Sequence, residues 1–122
     1  MPDAFIQSPD PVPFERLSNW QYHPGDMLPE EVWSTHDSWH DGGRTLIWDD
    51  DVRIVWFREE WTVPRAWAGR ALLLSIEVRN TFSLYVDEQA VTAPHLLSRS
   101  ADPDRTFRLA IRGDRVRRPG MI

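Results

Sequence analysis

One segment of the chain, residues 52–63, constrains the fold more than any other, because its side chains follow a period of two. Its even-numbered residues are apolar as far as Trp56 and polar beyond it, and Pro64 ends the segment. A period of two predicts a β-strand, here one that is buried on both faces in its first half and on one face in its second. Four apolar residues share the odd-numbered parity, namely Val55, Phe57, Trp61 and Val63.

Shorter runs with the same alternation follow at intervals of about 8–12 residues, with turn residues between them, a pattern typical of a β-sandwich or barrel. The pattern also predicts one brief helical turn at residues 28–33 and a tight reversal at residues 87–89. We therefore predict an all-β, antiparallel sandwich. The predicted strands besides residues 52–63 are 17–22, 71–78, 82–86, 90–92 and 107–111.

The length of 122 residues accommodates a single domain. Residues 1–16 hold four of the ten prolines and are predicted to form an extended lead-in, because proline removes backbone donors. The sandwich is predicted to span residues 17–115. Residues 116–122 are then a tail or the start of a missing continuation.

Composition excludes several functional classes. A formal net charge of −5 argues against a nucleic-acid partner, which requires a basic surface. The chain has no Cys, so neither a disulfide framework nor a thiolate metal site is available. No apolar stretch approaches the length of a membrane span, and the first residues lack the pattern of a secretory signal, so the expected location is the cytoplasm.

Residues 56–64, Trp-Phe-Arg-Glu-Glu-Trp-Thr-Val-Pro, resemble the W-Y-R-R-x-F-x-V-P strand of the N-terminal sugar-binding domain in family 2 glycoside hydrolases. This is the β-galactosidase, β-glucuronidase and β-mannosidase group. Residues 67–74 are similar to the W-x-G-K-R-V-x-L segment that follows in that family, and residues 84–91 to its V-Y-V-N-G-x-x-V hairpin. Weaker matches at residues 17–22, 37–39, His95 and 105–111 extend the resemblance over 17–112, in the family's order.

The resemblance implies a galactose-binding-like jelly roll that supports a catalytic barrel and sometimes lends a loop to its sugar pocket. The family's catalytic glutamates lie in that barrel, so no residue here inherits a catalytic role. Two departures stand out. Asp87-Glu88 replaces the Asn-Gly that favours a type I′ turn, and the glycine pair that usually follows the family's His is missing. The chain also stops before the family's closing strand.

The carboxylate pair Glu59 and Glu60 is a poor candidate for glycoside hydrolysis. A retaining glycosidase needs two carboxyl groups about 5–5.5 Å apart in one cleft, whereas adjacent strand residues point to opposite faces. We therefore predict no catalytic residue in this chain.

Two clusters could bind a metal ion. His36 and His40 have the spacing of two ligands on one helix face, but the surrounding Ser and Gly residues disfavour a helix and favour a solvated loop. Asp49, Asp50 and Asp51 offer oxygen ligands for a structural calcium ion, although three consecutive Asp more commonly form an exposed turn. No other cofactor is expected.

Tryptophan supplies the candidate carbohydrate-binding residues, since an aromatic ring can stack on the apolar side of a pyranose. The alternative is that these rings cover the ends of the sandwich or dock on another domain. The candidates are Trp33, Trp39, Trp48 and Trp67.

Three functional hypotheses follow. The first is a non-catalytic module that recognises carbohydrate or acts as scaffold for a glycoside hydrolase catalytic domain, including the case of a truncated front end of such an enzyme. The second is a stand-alone carbohydrate-binding protein. The third, an enzyme that uses His36 and His40, requires a bound metal.

Overall fold

A computed structural model describes the protein over residues 3–7, 14–17, 19–34, 39–43, 53–77 and 81–114. These residues form ten β-strands and two short 3-10 turns, with no α-helix among them. The predicted all-β, antiparallel sandwich is therefore confirmed. No helix in the described ranges is long and apolar enough to cross a membrane.

The strands, numbered in chain order, form two antiparallel sheets. The four-stranded sheet has the order β2-β1-β6-β9, from β1 (Asp3–Gln7), β2 (Phe14–Arg16), β6 (Leu72–Glu77) and β9 (His95–Ser98). The six-stranded sheet has the order β4-β3-β5-β10-β7-β8, from β3 (Trp20–Pro24), β4 (His40–Gly43), β5 (Ile54–Thr62), β7 (Thr81–Val86), β8 (Gln89–Val91) and β10 (Thr106–Asp114).

Strand β5 lies at the centre of the six-stranded sheet. It pairs with β10 along its whole length, from Ile54 opposite Asp114 to Thr62 opposite Thr106, and with β3 on its other side. All residues from Val55 to Glu59 are buried, whereas Glu60 and Thr62 are exposed. The predicted change from two buried faces to one is found, but it begins at Glu60 and not after Trp56, because Arg58 is buried as well.

The main core lies between the two sheets. Ile6 from β1 and Leu74 from β6 pack in one cluster with residues from the inner face of the six-stranded sheet. At one end Trp67 lies on Trp61, with ring centroids 5.9 Å apart. The fully buried side chains of this core include Phe57, Leu84, Phe107, Leu109 and Ile111.

The predicted lead-in at residues 1–16 is corrected by the structure. β1 and β2 are paired strands of the four-stranded sheet, and Ile6 is fully buried, because β1 pairs with β6 and places Ile6 opposite Leu74. The strand predicted at residues 17–22 is found at Trp20–Pro24, and β4 and β9 were not predicted at all. The jelly-roll connectivity and the role of residues 116–122 stay predictions, and those last residues lie outside the described ranges.

Two predicted turns are confirmed. Pro29–Glu31 form a 3-10 turn. Asp87 and Glu88 connect β7 to β8 with φ angles of 49° and 70°, so both adopt the left-handed conformation that an Asn-Gly pair adopts more easily. The Asp87 carboxylate accepts hydrogen bonds from the backbone N–H of Arg108, at 2.9 Å, and from the guanidinium of Arg105, at 3.1 Å.

Candidate functional site

The outer face of the six-stranded sheet carries a second apolar cluster. Trp56 from β5 and Ala110 from β10 are buried there beneath Val32, which comes from the segment after β3. We call this group the outer cluster. Its partly buried members are Met27, Trp33, Trp39, Ile54 and Tyr85.

Asp26 fastens the segment after β3 to the sheet. Its carboxylate accepts two hydrogen bonds from the Arg112 guanidinium, both 2.9 Å, and a third from the indole N–H of Trp56 at 3.2 Å. The hydrogen bond from Arg112 is the main reason why the pKa of Asp26 falls to about 2. The same contact raises the pKa of Arg112. Asp26 is therefore charged over the whole neutral range.

Arg58 lies at the centre of the outer face and is only 7% exposed. Its guanidinium carbon is 4.1 Å from the ring centroid of Trp39 and 5.5 Å from that of Trp33. Its Nε donates to the side-chain oxygen of Gln21 at 3.0 Å, and its Nη1 donates to the carbonyl of Val32. Burial lowers the pKa of Arg58, and the nearby Glu60 charge opposes that shift. An arginine nevertheless stays protonated. Arg58 is therefore a buried cation that connects Trp33 and Trp39 to the sheet.

A cleft of about 230 Å³ lies beside Arg58. It is found where β3 separates from β5, since their described pairing begins at Gln21 opposite Arg58. At this point the backbone N–H of Asn19 donates to the Glu59 carboxylate at 2.8 Å. The cleft is lined by Asn19, Gln21, Trp33, Arg58, Glu59, Glu60 and Arg108.

Glu60 and Arg108 stand directly opposite each other on neighbouring strands, and both are exposed. Within the described ranges, however, the structure records neither an ion pair nor a side-chain hydrogen bond for either of them. The Arg108 guanidinium instead lies over Trp33, 5.3 Å from the ring centroid. The cleft therefore presents a carboxylate, a guanidinium and one aromatic wall to an incoming ligand.

The predicted tryptophans have different positions. Trp33 borders the cleft, and Trp39 covers Arg58 while its ring centroid lies 5.4 Å from that of His23. Trp67 is only 9% exposed in the main core, so it offers little ring surface to a ligand, and we do not retain it as a binding residue. Trp48 lies outside the described residues.

Only one of the predicted metal ligands lies among the described residues. His40 is exposed on β4, with its ring centroid 5.1 Å from that of Tyr22. His36, Asp49, Asp50 and Asp51 lie outside the described residues. Among the residues that are described, no group of three or more His, Asp or Glu side chains could hold a metal ion.

Sequence reasoning missed most of the cleft. Glu59 and Glu60 were examined only as a catalytic pair, and their different burial agrees with side chains on opposite faces of β5. Arg108 carried no signal as a site residue, because nothing in the sequence specified that β10 would pair with β5. The clue that could have been used is Arg58, a cation flanked by buried positions in the middle of the most apolar strand.

Comparisons of the chain with protein-family models, with curated proteins and with solved structures find no match. The resemblance to the sugar-binding domain of family 2 glycoside hydrolases therefore stays a prediction. What the fold defines is an all-β sandwich of two antiparallel sheets.

Proposed function

We propose that this chain is a non-catalytic β-sandwich module that recognises carbohydrate in the cleft beside Arg58. The observation that carries the proposal is that Trp33 borders the same cleft as Gln21, Glu60 and Arg108. A sugar ring has apolar C–H groups that pack on an aromatic side chain, and hydroxyl groups that need hydrogen-bond partners of both kinds. The cleft supplies an aromatic surface, a donor and acceptors within one small volume.

The side chains around the cleft are held by contacts on several sides, which favours binding. Arg58 holds Trp39, Gln21 and the Val32 carbonyl, and Asp26 holds the segment that leads into Trp33. A binding site whose side chains are already held by packing and hydrogen bonds loses less conformational entropy when the ligand arrives. The expected mode of recognition is a preformed site.

The alternative role as scaffold for a catalytic domain has less support. Docking of a large partner predicts a continuous exposed apolar surface. Among the described residues, the exposed large apolar side chains are Leu28, in the segment after β3, and Leu96, on β9 of the four-stranded sheet. They do not form one patch, so carbohydrate recognition accounts for the outer face better.

The proposal is tested by urea unfolding with and without methyl glycosides of glucose, galactose and mannose. A ligand that binds only the folded state raises the free energy of unfolding, by about 2.7 kcal/mol at a hundred times its Kd. We expect one glycoside to raise the unfolding midpoint of the natural chain and to leave Trp33→Ala unmoved. Leu28→Ala, which removes an exposed side chain away from the cleft, is the matched control and should respond like the natural chain. A panel in which no glycoside shifts the midpoint would contradict the proposal.

A further inference from the structure

Resting on that proposed function, we propose that the cleft selects uncharged pyranosides, with Glu60 and Arg108 binding adjacent ring hydroxyls, and rejects the corresponding acidic sugars. The inference names the class of ligand. It depends on the relation between these two side chains and on the charge of the cleft.

In the described structure, Glu60 and Arg108 lie opposite each other but do not form an ion pair. Directly opposite residues of an antiparallel pair have Cβ atoms about 4.5–5.5 Å apart, which is close enough for Glu and Arg to meet. Yet the Arg108 guanidinium lies over Trp33, and in the described structure Glu60 has no ion pair. Since a hydroxyl group is both a donor and an acceptor, two neighbouring sugar hydroxyls can donate to Glu60 and accept from Arg108.

The charge of the cleft favours a neutral ligand. Its lining holds two cations, Arg58 and Arg108, and two carboxylates, Glu59 and Glu60, so their formal charges cancel. The whole chain carries −5. Because the charges of the lining already balance, the carboxylate of a uronate would leave the cleft with a net negative charge beside Glu60, and like charges repel. An uncharged pyranoside avoids this repulsion.

The test compares matched sugars by isothermal titration calorimetry. The probes are the methyl pyranosides of glucose, galactose and mannose and the methyl uronides with the same ring stereochemistry, each at low and high salt. We expect the best neutral glycoside to bind at least about tenfold more tightly than its uronide, which corresponds to about 1.4 kcal/mol. Salt should leave the affinity of the neutral glycoside nearly unchanged, because it brings no charge to be screened.

Two substitutions assign the selectivity to residues. Glu60→Gln should weaken binding of the neutral glycoside about fivefold, because the charged hydrogen-bond acceptor is lost. The difference in affinity between the neutral glycoside and its uronide should become smaller, because the repelling charge is removed. Arg108→Gln should weaken binding of the neutral glycoside by a similar factor. Arg53→Gln is the control. Arg53 pairs with Asp114, six residues along β10 from Arg108, which is about 20 Å in an extended strand.

The outcomes separate the two proposals. Tighter binding of the uronide with strong salt dependence would overturn the inference and leave carbohydrate recognition standing. An unchanged affinity of Glu60→Gln for the neutral glycoside would also overturn the inference and leave carbohydrate recognition standing. If neither neutral nor acidic glycosides bind the folded chain, the proposed function itself fails.

Discussion

The two faces of the six-stranded sheet are built in different ways. The inner face is mostly apolar, with the buried Glu59 as an exception, and meets the four-stranded sheet, where Phe57, Phe107 and Ile111 are almost fully buried. The outer face is apolar around Trp56 and Ala110 but carries charged side chains towards the cleft. Alternation along single strands is enough to make the inner face. The outer face depends on contacts between residues far apart in the chain.

The inner face contributes mainly to stability, whereas the outer face contributes mainly to the selectivity of the cleft. Apolar burial between the sheets contributes about 25 cal/mol for each Å² removed from water, so the inner face dominates the free energy of folding. The contacts on the outer face, such as Asp26 with Arg112, are polar and partly exposed, and each of them contributes little. Such contacts instead fix the positions of side chains around the cleft.

The largest expected effect is on the inner face. Phe107→Ala removes a buried ring that lies 6.4 Å, centroid to centroid, from Trp61, and it leaves a cavity. The expected loss is about 3–5 kcal/mol of unfolding free energy, measured by urea titration followed by circular dichroism. Leu96→Ala, at a side chain 43% exposed, is the control and should cost less than about 0.5 kcal/mol. Equal losses for the two variants would contradict the inner face as the main source of stability.

A smaller loss is expected on the outer face from Arg58→Met, which keeps most of the side-chain length but removes the guanidinium. The Val32 carbonyl and Gln21 then lose a donor, which costs about 1–3 kcal/mol. Tryptophan emission should change as well, because Trp39 loses the cation that lies 4.1 Å from its ring. Arg58→Lys should not restore stability, since an ammonium cannot reproduce the planar fork.

Arg58→Met also tests whether the outer face needs the guanidinium. Replacing a buried charge by an apolar side chain sometimes stabilises a protein. If Arg58→Met were as stable as the natural chain and still bound glycoside, the guanidinium would have no role in holding the outer face. Weakened binding with unchanged stability would instead confine its role to the cleft.

Asp26→Asn tests the attachment of the segment after β3 and should cost about 1 kcal/mol at neutral pH, because the carboxylate is half exposed. Its pKa is about 2 in the folded chain, below the ordinary value of 3.8, so its contribution is fully present above pH 3.8 and is lost as pH falls through 2. The difference in unfolding midpoint between the natural chain and Asp26→Asn should therefore shrink between pH 4 and pH 2. A difference that stays constant across that interval would show that the Asp26 charge does not matter.

The inner face was largely predictable from sequence. A period of two over residues 52–63 placed Val55, Phe57 and Trp61 on one buried face, and the shorter runs gave β6, β7 and β10. β1 and β2 were missed because four prolines fall in residues 1–16, while the pairing of β1 with β6, which joins both strands to the sheet, is a tertiary contact. Local sequence carries no record of such a partner.

The cleft was harder to predict because its residues come from separate strands. Only Trp33 was chosen, from residue type alone. Gln21, Arg58 and Arg108 are brought together by the order β3-β5-β10, and strand order follows from the whole fold and not from any one segment. A charged residue within a strand that is buried on both faces, as at Arg58, is the kind of local conflict that functional sites commonly produce.

The smallest expected effect, and the only stabilising one, is at the hairpin where the chain departs from the Asn-Gly pattern. Glu88 has a φ of 70°, which is unfavourable for a residue with a Cβ atom, and it is exposed. Glu88→Gly should therefore raise the unfolding free energy by about 0.5–1 kcal/mol, measured by urea titration. Asp87→Gly relieves a similar φ of 49° but removes the carboxylate that accepts from Arg105 and from the Arg108 backbone, so it should destabilise. Because Arg108 also borders the cleft, Asp87→Gly should weaken glycoside binding as well, whereas Glu88→Gly should leave it unchanged. If both variants were stabilising, Asp87 would have no part in holding β10 and the cleft.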